Sequence, residues 1–146
     1  MPIEDPKEKW SAAVASVTIG ATRDEGGTRG SAVTLGGQTT LPFLNFEGVT
    51  PNRPVVAMEV QDRYPAEWPE VALAPFADVA HDPAAWAAKC VKEYGADMIC
   101  LRLMGTHPDF GDHSPDEAAA VVKAVLTAVD VPLVIWGCDV DEKDNL

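Results

Sequence analysis

Three apolar runs in this sequence end in polar side chains, and those ends are where side-chain chemistry could gather. The run Pro54–Val60 carries Glu59 and breaks into Gln61 and Asp62. A second run, Ala96–Leu103, holds Arg102 near its end, and a third, Val131–Gly137, leads into Cys138 and Asp139. Three carboxylates, an amide, a guanidinium and a thiol can hold a polar ligand through hydrogen bonds and charge. Only Cys138 could act as a covalent nucleophile, and no histidine stands near it in sequence to activate it. The plainer alternative is an ion pair between Glu59 and Arg102 inside the fold, with the other groups capping loops.

His107-Pro108-Asp109 followed by Gly111-Asp112-His113 sets two histidines and two aspartates within seven residues. Imidazole and carboxylate are ordinary ligands for divalent metals. Asp, Gly and Pro before a capped helix are equally what turn chemistry requires, and the turn is the preferred reading, with no metal site expected. Gly26-Gly27-Thr28-Arg29-Gly30 lacks the GK[ST] ending of a phosphate loop, so a flexible hairpin loop is expected there. There is no GxSxG elbow. Lys89, Lys92 and Lys123 fall on helical patterns rather than at strand ends, where a Schiff-base lysine would be needed. The indicated task is binding rather than bond-making, and no catalytic residue is assigned.

The elements that must position these groups are legible. Ala13–Ile19 and Ser31–Leu35 read as a β-hairpin with a long polar loop, followed by an irregular passage to residue 52. From Arg53 the pattern becomes strand, loop, helix. One helix has Asp82 as N-cap, Pro83 in its first turn, Trp86, Cys90, Val91 and Tyr94 at helical spacing, and Gly95 as its stop. The next opens with a capping box, Ser114 to Glu117, and carries Val121, Val122, Val125, Leu126 and Val129 as its apolar stripe. The three apolar runs are nearly continuous, which predicts strands covered on both faces by helices. Strand–helix–strand spacing predicts parallel pairing with right-handed crossovers. The fold class is therefore α/β, as in a (β/α) barrel or a doubly wound sheet. Two units are expected, 1–52 as hairpin and lead-in and 53–146 as an incomplete barrel-like domain. Asp141–Asp144 reads as an acidic first helical turn, so the stop after Leu146 falls inside a structural unit and further units are expected.

Composition narrows the function classes. A net charge of −12 argues against phosphate-backbone binding and against docking on an anionic membrane surface. Cys90, Cys100 and Cys138 form no CxxC pair, so reduced thiols in a cytoplasmic protein are expected, with no cluster ligated by this chain alone.

Several blocks carry a family resemblance: VTIGATRDEGGTRG, LPFLNFEGVTPNRPVVAMEVQD, WAAKCVKEYGADMICLRLMGTHP and VPLVIWGCDVDEKD. Together they resemble the small subunits of corrinoid iron–sulfur proteins, the delta subunits of acetyl-CoA decarbonylase/synthase. The resemblance implies the first three strands and two helices of a TIM (β/α)8 barrel, truncated relative to the family. It further implies a cobalamin-type corrinoid shared with a larger partner subunit that carries a [4Fe–4S] cluster. A pterin methyltransferase and acetyl-CoA synthase would be transient partners in the Wood–Ljungdahl pathway. Barrel geometry makes Glu59, Gln61, Asp62, Arg102, Cys138 and Asp139 the cofactor-binding candidates. Two other functions fit the same strand ends. One is a pterin-dependent methyltransferase barrel; the other is a half-barrel that works only as an assembly partner.

Overall fold

The computed structural model describes residues 6–144; Leu146, where the sequence stops, lies outside the described residues. Two sheets form. β1 (Val17–Ile19) and β2 (Val33–Leu35) make the antiparallel hairpin, with Val17 opposite Leu35 and Ile19 opposite Val33. β3 (Ala57–Gln61), β4 (Met98–Arg102) and β5 (Leu133–Trp136) form a parallel sheet in that order. The hairpin is shorter than the sequence pattern predicts. Gly36 and Gly37 both sit at φ +82, a left-handed conformation that ends the ladder, and a Cβ on Gly36 would overlap the carbonyl oxygen of Ala15.

The helices are α1 (Glu70–Leu73), α2 (Pro83–Lys92), α3 (Pro115–Ala128) and α4 (Asp141–Asp144). The expected caps are in place. Asp82 accepts the N–H groups of Ala84 and Ala85, and Ser114 and Glu117 bond reciprocally. At the end of α2, the Gly95 N–H reaches the Val91 carbonyl and the Ala96 N–H reaches that of Cys90, an αL-type closure with Gly95 at φ +66. Tyr94 therefore lies past the helix; it is exposed and packs its ring on Phe76. Among the described residues, no helix is long and apolar enough to cross a membrane.

Parallel register aligns Val60 with Leu101 and Ile135, and Met58 with Ile99 and Leu133. Alternation puts these on one face. Trp86, Ala87 and Cys90 from α2, Val125 from α3 and Val129 just after it share one buried cluster with Val60, Ile99 and Leu101. Both long helices thus cover the same face. This corrects the expectation of helices on both faces: Glu59, Gln61, Cys100, Arg102, Val134 and Trp136 occupy a face to which α2 and α3 contribute nothing. The described residues form a mixed α/β structure without a closed barrel.

The glycine-rich loop joins the two hairpin strands as expected, but it is anchored to the carboxyl end of α3 rather than free. Arg29 reaches 97 and 100 residues along the chain to donate to the carbonyls of Leu126 (3.1 Å) and Val129 (2.8 Å). Those groups at the carboxyl end of α3 lack helical partners and carry the negative end of its dipole. The Gly30 N–H donates to the Asp130 carbonyl, and Arg23 pairs with the Asp130 carboxylate at 2.8 Å. Arg29→Ala is expected to cost about 1.5–3 kcal/mol, since a charged donor is lost and partly buried carbonyls are orphaned. Both bonds leave from one nitrogen, Nη1, so Arg29→Lys, whose ammonium carries three protons, should recover much of that. Urea melts of the two variants would show the difference.

Ahead of the sheet, Arg53 forks onto Asp97, with Nη1 to Oδ2 at 3.0 Å, and the Val56 N–H donates to the same carboxylate at 2.9 Å. The Arg53 hydrogen bond first, and the Val56 N–H second, hold Asp97 down at about 2. A carboxylate whose folded pKa lies below its unfolded value near 3.9 stabilises the fold above that value. This contribution is expected to be intact above about pH 4 and to fade as pH falls towards 2. In Arg53→Met, acid melts should show a weaker pH dependence across that window.

Candidate functional site

One row of the sheet runs Gln61, Arg102, Trp136, aligned by the parallel register at the carboxyl ends of the three strands. Gln61 is 2% exposed; its Nε2 donates to Glu59 Oε1 at 3.0 Å. That bond fixes the orientation of the amide, because a carboxylate can only accept. Arg102 donates through Nη2 to Asp139 Oδ2 at 2.6 Å and lays its guanidinium over the Trp136 ring, 4.7 Å from the centroid. The Trp136 indole N–H donates to the other oxygen, Asp139 Oδ1, at 3.2 Å. Trp136 first and Arg102 second hold the Asp139 carboxyl below its ordinary range.

The loop after β5 is built for this arrangement. Asp139 sits at φ +66, and its N–H and that of Cys138 donate to the two Asp144 carboxylate oxygens at 3.1 and 2.7 Å. Gly137 leaves room for that carboxylate, which a Cβ at this position would overlap. α4 thereby anchors the loop that carries Asp139.

Asp62 points to the other side of the strand end. Its Oδ1 accepts the Gly105 N–H at 2.8 Å. Its Oδ2 is buried with no hydrogen-bond partner among the described residues. Burial raises the Asp62 carboxyl above its ordinary range, against the opposing pull of the Gly105 N–H and of His113. His113 lies across Gly105 from it and lines a cavity of about 540 Å³ between α3 and β5, with Leu103, Val122 and Ile135 as its apolar wall. A raised folded pKa means that Asp62 favours folding below its unfolded value near 3.9, and that this is lost as pH rises through the folded pKa. Asp62→Asn is therefore expected to raise the melting temperature at pH 7 and to flatten its change between pH 4 and 7, read by calorimetry.

Of the sequence candidates, Gln61, Arg102 and Asp139 come together in one constellation, with Glu59 holding Gln61 from behind. The alternative Glu59–Arg102 ion pair is absent: each has another partner. Asp62 belongs to a neighbouring cluster. Cys138, expected at the mouth, is 2% exposed. The turn reading of the histidine-rich loop agrees with the geometry: His107 Nδ1 accepts the Asp109 N–H at 3.1 Å, and Asp112 pairs with Lys143. Among the described residues, no group of three or more His, Cys, Asp or Glu is placed to hold a metal ion. Cys90 is buried on the helix side, with burial pushing its thiol up to about 11, whereas Cys100 lies on the opposite face. The site residues missed from sequence are Trp136, Gly105 and Asp144; His113 was singled out there only as part of the histidine-rich loop. The i, i+2 alternation that joins Glu59 to Gln61 would have marked Trp136 had it been carried across to β5.

A parallel β/α sheet with polar groups gathered past its carboxyl ends is the arrangement of α/β proteins that bind ligands there. Comparison with known proteins narrows this class. Residues 16–143 match the family model of the CO dehydrogenase/acetyl-CoA synthase delta subunit, and the chain belongs to that family. Similar relatives are acetyl-CoA decarbonylase/synthase complex delta subunits. That of Methanothermobacter thermautotrophicus is 45% identical over 100% of this chain and 36% of its own length. That of Methanocaldococcus jannaschii is 43% identical over 98% and 35%. That of Archaeoglobus fulgidus is 40% identical over 97% and 31%. The chain thus spans about a third of the length of these relatives.

Proposed function

We propose that this chain forms part of a delta subunit of an acetyl-CoA decarbonylase/synthase system. In this reading it helps to hold a corrinoid shared with a larger partner subunit, which carries the [4Fe–4S] cluster. The observation that carries the reading is the Gln61–Arg102–Trp136 row: buried polar atoms without partners among the described residues, beside a half-exposed aromatic face at the strand ends. Family membership supports it. So does the one-sided placement of α2 and α3, which suits the first units of a (β/α)8 barrel with the row facing inward.

A corrinoid fits what these residues offer. Trp136 supplies apolar aromatic area, Arg102 and Gln61 supply hydrogen bonds to a rim, and Asp139 keeps Arg102 in place. Bound there, a corrinoid supplies a cobalt centre that carries a methyl group from a methyl-tetrahydropterin towards acetyl-CoA synthase. The chain's own residues orient the ring and exclude water from one side. Coexpression with a large corrinoid iron–sulfur subunit tests this: a coloured, cobalt-containing complex is expected. Binding of methyl-tetrahydrofolate without cobalt would favour a pterin-dependent methyltransferase instead. A colourless complex with neither ligand would leave only an assembly role.

A further inference from the structure

Two buried polar atoms on neighbouring strands are left over once every hydrogen bond of the strand-end row is assigned. Gln61 Oε1 is an acceptor, since Nε2 is committed to Glu59, and Arg102 Nε–H is a donor left over when Nη2 engages Asp139. Neither has a partner among the described residues. Leaving a buried polar group unpaired costs far more than a typical hydrogen bond gains, so such a pair marks a place where another group completes the network. Parallel register sets Gln61 directly beside Arg102, and alternation turns both side chains to the face away from α2 and α3. The row opens towards β5: Gln61 is 2% exposed, the Arg102 side chain 24% and Trp136 47%.

We propose that Gln61 and Arg102 form a subsite for an amide edge. The ligand carbonyl oxygen accepts from Arg102 Nε–H, and the adjacent ligand N–H donates to Gln61 Oε1. The proposal rests on the reading that this surface carries the ligand, and it adds which part of the ligand is read and by which atoms. The complement is specific. A carboxylate could satisfy Arg102 but brings no proton for Gln61 Oε1, and an ammonium could satisfy Gln61 but would face the guanidinium. Amide edges occur as primary carboxamides around the rim of a corrinoid and as the lactam of a pterin ring, so the shared chemistry leaves both ligands to be separated by experiment.

The test uses the full chain in complex with the large subunit and three probes: cobinamide with intact rim amides, the same corrinoid with its rim amides hydrolysed to carboxylates, and methyl-tetrahydrofolate. Binding is read by equilibrium dialysis. Intact cobinamide is expected to bind roughly ten- to a hundredfold more tightly than the hydrolysed form. Gln61→Met and Arg102→Lys, each checked by circular dichroism for an intact fold, should bring that ratio close to one; the lysine retains the charge facing Asp139. Corrinoid binding with no amide preference, unchanged in both variants, overturns the subsite and leaves the corrinoid reading standing. Methyl-tetrahydrofolate binding that both variants abolish, with no corrinoid binding, keeps the subsite and overturns the corrinoid reading. Binding of none of the three overturns both.

Discussion

Replacing Trp86 with alanine is expected to cost about 3–5 kcal/mol, the range for emptying a fully buried aromatic position. Trp86 is 0% exposed and sits where α2 meets the sheet, in one cluster with Val60, Ile99, Leu101 and Val125. Trp68 packs edge-on to it and Phe76 tilts against it, each with ring centroids 5.7 Å away. Removing the indole therefore opens a cavity between α2, the sheet and the Trp68 and Phe76 rings. At roughly 2–4 °C per kcal/mol for a chain of this size, the melting temperature should fall by about 10 °C. Trp86→Phe should be far milder. The indole N–H is buried without a partner among the described residues, so phenylalanine keeps most of the ring and discards an unpaired donor. Near-equal losses for the two variants would show that ring volume is not what Trp86 contributes.

The second large effect is expected at Gly105, in the short turn Met104–Thr106 after β4. A Cβ there would lie 2.5 Å from His113 Nδ1 and 2.8 Å from Asp62 Oδ2. His113 is tied to the same residue through its backbone N–H, which donates to the Gly105 carbonyl. Gly105→Ala must therefore move the loop and strain two bonds, Gly105 N–H to Asp62 (2.8 Å) and His113 N–H to the Gly105 carbonyl (2.9 Å). Overpacking of this kind costs about 1–3 kcal/mol. Combining Gly105→Ala with His113→Ala should restore much of the loss, since the added methyl then occupies vacated space. A double-mutant cycle measured by chemical denaturation reads that coupling directly.

Much of the fold was legible because its signals are local. Asp82, the Ser114–Glu117 box and Gly95 each act within a few residues, and each does what its position foretold. What escaped depends on contacts far apart in sequence. Arg29 was unremarkable within a glycine-rich loop, yet it serves carbonyls about a hundred residues away. Asp62 and His113 lie on either side of Gly105, whose missing side chain lets both approach it. One-sided coverage of the sheet was hidden for another reason: Met98 and Val134 are apolar on the same face as Glu59, Gln61 and Arg102, so the runs looked continuous although the alternation was present. The candidate residues were correctly placed at strand ends, but sequence position could not say which of them share a face. Alternation and register divide them, setting Gln61 and Arg102 apart from Asp62, while Cys138 is turned into the interior.

The central claim is that the strand-end face meets a corrinoid in a complex with the large subunit. Backbone hydrogen exchange of that complex, with and without bound corrinoid, tests it most directly. Slower exchange is expected in residues 60–63, 103–106 and 137–140, with the amides of α2 unchanged. Corrinoid bound in the complex without protection at those three segments would contradict it.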